Sequence, residues 1–184
     1  MAVTITLNLG GVEGASNFDN QEKENFKNIN KVKGKGGQAI DVLSWSWGLT
    51  QHGSAHVATG AGSGTADVSD LTFTKYVDKT SPLLVNNCFK GINHGGAILT
   101  CWKVGGAEKI PYLQIKMGDI QSCDKTKGIV FISSVQSGAQ GADDQLMETV
   151  SFNFNKVEVV YICQKDDGTA GDTMQYGTLN ITAK

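Results

Sequence analysis

The seventeen residues at 148–164, ETVSFNFNKVEVVYICQ, restrict the fold more than any other stretch of this chain. In the first half Val150, Phe152 and Phe154 alternate with Thr149, Ser151 and Asn153, the period-two pattern of a strand with one buried face. Past Lys156 the apolar set changes parity, to Val157, Val159 and Tyr161. One extra residue at 155–156 produces that change, so the pattern predicts a long strand bent at a bulge or corner. Strands that bend, with glycine at intervals, suit a small closed or nearly closed antiparallel barrel.

The same alternation recurs along the chain. VTITLNL (3–9) sets Val3, Ile5, Leu7 and Leu9 against Thr4, Thr6 and Asn8. IDVLSWSW (40–47) sets Leu43, Trp45 and Trp47 against Ser44 and Ser46. Further strands are expected at 70–78, 97–104, 110–117, 127–135 and 176–181, with a turn-rich DDGTAGD before the last. Helix is scarce. TSPLLVNNCFKG (80–91) predicts one flanking helix at about 81–90, with Ser81 as N-cap, Pro82 in the first turn and Gly91 as left-handed stop. Its stripe of Leu84, Val85, Cys88 and Phe89 is expected to lie against the sheets. Over about 21–33, Phe26, Ile29 and Val32 are spaced by three, with Glu22 and Glu24 early and Lys31 and Lys33 late. A short extra helix and an irregular loop both fit that pattern. The expected class is mainly β: a single domain over 1–184, a small antiparallel β-barrel with one flanking α-helix.

At 184 residues the chain can bury a real core, and 40% hydrophobic against 18% charged residues fits a folded domain. A net charge of -2 gives no electrostatic reason for a nucleic-acid or anionic membrane partner. No apolar run approaches the ~20 residues that span a bilayer. The start, MAVTITLNLGG, lacks the basic and apolar regions of a signal peptide, so export is expected to use another route. Cys88, Cys101, Cys123 and Cys163 form no C-x-x-C pair, which removes the support for a redox motif or a zinc ribbon and leaves a disulfide open.

After the two tryptophans comes a long segment of small residues at 48–64. Its GAGSGT (60–65) leads into strand-like sequence rather than a helix and lacks a GK[ST] lysine, so it is no phosphate cradle. His52 and His56 stand four apart, but with Gly53 between them and no helical stripe, and a third ligand would have to be His94 or a distant residue. Surface or interface histidines are the better reading. Asp143 and Asp144 read as a solvated loop, and Asp67 and Asp70 as turn caps. No G-x-S-x-G or reactive-cysteine signature is present, so no catalytic residue, cofactor or metal site is expected. A long polar loop that serves no chemistry suits a contact with a neighbouring subunit.

The runs IDVLSWSWGLTQ (40–51), ADVSDLTFTKYVDKTSPLL (66–84), LTCWKVGGAEKIPYLQIKM (99–117) and ISSVQSGAQGADDQLMETVSFNFNKVEVVY (132–161) closely resemble the haemolysin-coregulated proteins, the Hcp family of type VI secretion in Gram-negative bacteria. The likeness covers nearly the whole chain in order, and D-V-x-x-W-S-W-G paired with L-x-F-T-K-Y-x-D-K-x-[ST]-P is its specific part. The resemblance implies a small β-barrel with one helix, homo-hexameric rings that stack into an inner tube, and contractile sheath and spike proteins as partners. It implies export by the type VI machinery without a cleaved signal peptide, from the cytoplasm, with effectors held in the ring lumen by some members. Residues 48–64 match the family's extended loop, so Gly48, Gln51, His52, Ser54, His56, Ala58, Gly60, Gly62 and Gly64 become candidates for subunit or ring contacts. Ser44 and Ser46 become candidates for the lumen, with Trp45 and Trp47 in the barrel or at a subunit interface. The segment 19–37, with five lysines, looks longer than the family's connector and reads as an insertion. It keeps open a second role, a non-stacking ring that acts as soluble effector carrier, chaperone or secreted effector.

Overall fold

A computed structural model of the chain describes residues 3–16, 39–51, 66–105, 108–121, 124–139 and 145–181. The segment read as an insertion at 19–37, including the stretch at about 21–33 where a short helix or a loop was expected, and the loop candidates at 52–64 lie outside these residues, as do Cys123, Asp143 and Asp144. The described chain is mainly β with a single helix, as the alternation required. Thirteen strands follow in order: β1 (Thr4–Leu9), β2 (Ile40–Val42), β3 (Ser44–Ser46), β4 (Leu49–Gln51), β5 (Ala66–Val68), β6 (Leu71–Tyr76), β7 (Gly96–Gly105), β8 (Glu108–Gly118), β9 (Val130–Gly138), β10 (Met147–Phe154), β11 (Lys156–Gln164), β12 (Ala170–Gln175) and β13 (Leu179–Asn180). Helix α1 (Ser81–Lys90) stands between β6 and β7.

A seven-stranded sheet has the order β12-β11-β8-β7-β1-β2, with β13 also on β11. A four-stranded sheet has the order β3-β6-β10-β9, and β4 and β5 form a hairpin of their own. The sheets are not closed into one barrel; bent strands carry the chain between them at two corners. The first is the predicted one. β10 ends at Phe154 and β11 starts at Lys156, so Asn155 passes the chain from the four-stranded to the seven-stranded sheet. Its backbone N–H donates to the Ile129 carbonyl at 3.2 Å and its Oδ1 accepts from the Ile129 N–H at 2.8 Å, which satisfies a backbone that has left both ladders. The second corner was not expected. IDVLSWSW is two short strands split at Leu43: β2 pairs with β1 and β3 pairs with β6. The parity changes there, so Ile40 and Val42 are buried, Leu43 is exposed and Trp45 and Trp47 are half-buried. Leu43 therefore does not share a face with the tryptophans.

The core lies between the two sheets. Leu7, Leu9, Val42, Leu99, Ile115 and Met117 meet Leu71, Phe73, Val150, Phe152 and Ile132 across it. Phe73 and Phe152 pack edge to face, with ring centroids 5.1 Å apart. Burial of the alternate face of β1 differs from the simple pattern. Thr6 and Asn8 are buried too: β1 lies between β7 and β2, and Trp102, Ile98 and Thr100 of β7 share that face. The Trp102 Nε1–H donates to Thr6 Oγ1 at 2.8 Å, giving both polar groups a partner.

Helix α1 is rotated relative to its predicted stripe. Ser81, Leu84 and Asn87 are buried and Cys88 is half-buried, whereas Val85 is exposed and Phe89 is 90% exposed. Thr80, in helical conformation, precedes the helix and makes no side-chain cap; Ser81 is turned inward instead. Gly91 ends the helix at φ 58°, the left-handed stop that was expected. The turns that join the strands at the helix end need backbone contact: a Cβ on Gly118, at φ 71°, would strike the carbonyl of Gly95.

Candidate functional site

The surface with most to offer is the outer face of the four-stranded sheet, with its two edges. Alternation sends Leu71, Phe73, Val150 and Phe152 to the core, and the residues between them to the opposite side. Ser44 lies opposite Thr74 and Ser46 opposite Thr72; Thr149 and Ser151 follow on β10, and Ser134 and Gln136 on β9. The face is therefore small, hydroxylic and without a charge at these eight positions. Thr72 Oγ1 and Ser151 Oγ lie 2.9 Å apart, and Thr74 Oγ1 and Thr149 Oγ1 lie 3.5 Å apart, so the rows are tied across strands. Asp70 borders the face at one end, accepting from Asn153 Nδ2 at 2.7 Å and from the Ser133 hydroxyl. It joins three strands rather than capping a turn.

Neither edge of this sheet is paired with a further described strand. β3 has β6 on one side and no described strand on the other; β9 pairs only with β10, and α1 packs against it. At β9 the N–H of Val130 donates to Asn93 Oδ1 at 3.1 Å and its carbonyl accepts from the His94 N–H at 2.8 Å. Past that point no backbone bond from another described residue reaches the outer side of residues 131–138. An unpaired edge of this length is a template for another chain unless something covers it.

On the inner side the same sheet carries a buried ion cluster. Glu148 and Lys75 are register partners on β10 and β6, and both are fully buried. Lys75 Nζ lies 2.9 Å from Glu148 Oε1, 3.0 Å from Asp78 Oδ1 and 2.7 Å from the Tyr76 carbonyl, which accounts for its three N–H donors. The Ser81 hydroxyl donates to Glu148 Oε1 at 2.7 Å and accepts the Asp78 N–H at 3.0 Å. Burial pushes the Asp78 carboxyl up, but hydrogen bonds from Thr80 and Lys75 outweigh it and hold the group below its ordinary value. Glu148 Oε2 is buried with no partner. The cluster pins the start of α1 to the sheet end. Sequence reading missed it: Lys75 and Glu148 stand on strand positions where alternation demands apolar residues, and that misfit was the available signal.

The predicted site residues divide. Ser44 and Ser46 are exposed on the hydroxyl face, and Trp45 and Trp47 pack against the core, Trp47 with its ring 6.4 Å from that of Phe154. Gly48 and Gln51 are exposed in the β4–β5 hairpin, whose base is closed by Gly48 N–H to Ser69 Oγ at 3.1 Å and Ser69 N–H to the Gly48 carbonyl at 3.0 Å. His94 is buried. Its Nδ1–H donates to the Gly10 carbonyl at 2.8 Å, Nε2 has no partner, and burial holds its pKa below the ordinary value. Among the described residues no group of three or more His, Cys, Asp or Glu could hold a metal ion, and Cys88, Cys101 and Cys163 are free.

The described residues form a two-sheet, mainly β protein with one helix and a hydroxyl-rich outer face on the smaller sheet. The family model described as "Type VI secretion system effector, Hcp" matches residues 26–161. The chain therefore belongs to the Hcp family. It is 38% identical over 178 residues to Protein hcp1 of Pseudomonas aeruginosa, covering 96% of this chain and 94% of that one. Among solved structures it is similar to a type six secretion system protein, with TM-score 0.73 and 27% identity over 96% of this chain and 93% of the other. It is also similar to Hcp1 from Salmonella typhimurium, with TM-score 0.66 and 25% identity over 98% and 96% of the two chains. Secretion as the business of this chain follows from membership of a structural, secreted family.

Proposed function

We propose that the chain is the subunit of a hexameric ring, and that such rings stack into the inner tube of a type VI secretion system. The observation that supports this reading, beside membership of the family, is that no described strand continues the four-stranded sheet past β3 on one side or β9 on the other. Edges at opposite sides of one sheet make a heterologous contact that a rotation can close into a ring. Six copies of the four strands would then form a continuous wall, and closure would pair both edges of that sheet. The hydroxyl face of Ser44, Ser46, Thr72, Thr74, Thr149 and Ser151 would line the lumen, a neutral surface past which an effector can move without binding a fixed charge. Sheath and spike proteins are its partners outside the ring. The chain carries no catalysis of its own in this reading, and leaves the cytoplasm through the secretion machinery without a cleaved signal peptide.

The family model's own description as an effector supports a second role, in which rings act as soluble carriers or as secreted effectors themselves. Light scattering on the purified chain tests the ring: six copies of a 19.5 kDa chain give roughly 117 kDa. A monomer at tens of micromolar would overturn it. Ser46→Gln should keep that mass and change effector retention in the lumen; loss of the ring would show that position 46 is buried on assembly.

A further inference from the structure

The seven-stranded sheet ends in an edge built unlike the others. β12 pairs with β11 through Gln175 opposite Val160, Met174 opposite Tyr161 and Thr173 opposite Ile162, and β13 follows it on the side of β11 away from β8. Residues 170–180 are therefore the outermost run of that sheet. Every residue from Asp172 to Asn180 is exposed, on both faces of the sheet. Among the described residues, no backbone bond reaches β12 except from β11. In an antiparallel ladder alternate residues turn N–H and C=O away from the partner, so β12 presents a row of free donors and acceptors. At the opposite edge of the same sheet β2 is only three residues long, which blunts it as a template.

The side chains on the β12 edge are not those of a solvated strand. Met174 is 62% exposed, Tyr176 82%, and Tyr161, beside Met174 in the ladder, 41%. Tyr161 meets Tyr112 edge to face, with ring centroids 6.5 Å apart, and Lys103 Nζ lies 4.6 Å from the Tyr112 centroid. The row Leu113, Tyr161, Met174 thus runs out to the free edge with an aromatic floor behind it. Contiguous exposed apolar groups mark a surface that something covers. Charge gives the sign of the partner. Asp172 lies on the same side of β12 as Met174, two residues away, and Asp166 and Asp167 are exposed in the turn before it. With three aspartates against Lys165, the segment 165–175 has a net charge of -2. Two copies laid edge to edge would bring both acidic sets to one seam, which disfavours a second copy.

We propose that the β12 edge takes an extended segment of a different protein as an added strand, and that the segment carries a lysine or arginine two positions from an apolar residue. Backbone hydrogen bonds to β12 supply the affinity, the apolar side chain covers Met174 and Tyr161, and the basic group meets Asp172. The spacing follows from strand geometry, because Asp172 and Met174 are successive residues on one face. The site lies on the seven-stranded sheet, apart from the β3 and β9 edges assigned to the ring, so either reading can fail alone.

The test uses the full chain and a dye-labelled peptide that alternates valine and threonine, has lysine at its central valine position, and is kept soluble by a polyethylene glycol tail. Fluorescence anisotropy should show saturable binding below about 1 mM. Glutamate in place of the peptide's lysine should weaken binding at least fivefold, and Asp172→Lys in the protein should reverse that preference. N-methylation of alternate peptide residues should abolish binding in one phase and spare it in the other, as an added strand requires. Hydrogen exchange should slow at residues 170–175 in the complex. No saturable binding, equal binding of the glutamate peptide, or protection on β3 or β9 instead of β12 would overturn the site. Asp172→Lys and Met174→Glu, both at exposed positions, should leave the mass by light scattering unchanged. A fall in mass in either would make the edge a contact between copies and overturn the foreign strand. A monomeric wild type that still binds the peptide would overturn the ring and leave this site standing.

Discussion

Replacing Lys75 by Met should destabilise the chain by about 3–5 kcal/mol, the range for removing one partner of a buried ion pair. The structure sets the expectation at that level. Lys75 Nζ has Glu148 Oε1 at 2.9 Å, Asp78 Oδ1 at 3.0 Å and the Tyr76 carbonyl at 2.7 Å, and nothing else described reaches the Glu148 carboxylate except the Ser81 hydroxyl. With the ammonium gone, a fully buried carboxylate keeps one neutral donor on Oε1 and none on Oε2. Methionine fits the stem of the lysine, so the loss isolates charge and hydrogen bonding from packing. For a chain of this size, about 4 kcal/mol lowers Tm by roughly 8–16 °C. Removing both charges, Lys75→Met with Glu148→Leu, should recover at least half of the loss, because an apolar pair carries no desolvation penalty. Urea titrations followed by tryptophan fluorescence, at one fixed protein concentration because assembly adds stability by mass action, give the four corners of the cycle. A single-variant cost under about 1 kcal/mol, or a double variant that merely sums the singles, would refute the reasoning.

Further outcomes follow from the same structure. Leu84→Ala should cost about 2–5 kcal/mol in a denaturant titration, since Leu84 is buried. Phe89→Ser, on the opposite side of the helix, should stay within about 0.5 kcal/mol. Gly118→Ala should cost more than about 1–2 kcal/mol, because φ is 71° and the added methyl meets the Gly95 carbonyl; a neutral result in thermal unfolding would contradict that packing. His94 is held neutral by burial, so the unfolded chain binds the proton more readily than the folded one. Its contribution is whole above the ordinary histidine value of about 6.5 and is lost as pH falls toward the lower folded value. Urea midpoints at pH 7.5 and 5.5 should therefore differ more for the native chain than for His94→Gln, and equal slopes would count against it.

The sequence made much of this fold legible, and particular residues show where it stopped. The parity change at 155–156 located the corner between the sheets, because strand period is a geometric constraint that survives any tertiary setting. The corner at Leu43 was invisible, since Leu43 reads as apolar and in phase with Trp45 and Trp47, and only the pairing partners decide where a strand splits. β12 was hidden in GTAGDTMQ, whose two glycines and Asp172 lower strand propensity; its pairing to β11 holds it extended. The orientation of α1 was misread for a related reason. A ten-residue helix with apolar groups at Leu83, Leu84, Val85, Cys88 and Phe89 offers more than one stripe, and the Ser81–Glu148 bond fixes which one faces in. The hydroxyl face was legible on β3, where Ser44 and Ser46 stood out, and became a surface once β6, β9 and β10 were laid beside it.

The most direct test of the account is amide hydrogen exchange on the assembled protein, with its mass measured on the same sample. If the ring forms through the sheet edges, the amides of β3 and of residues 131–138 on β9 will be protected to a degree similar to the β6–β10 ladder between them, and will lose that protection on dilution to monomer. Fast exchange along β9 in particles of ring mass would contradict the account, because the subunits would then be joined by some other surface.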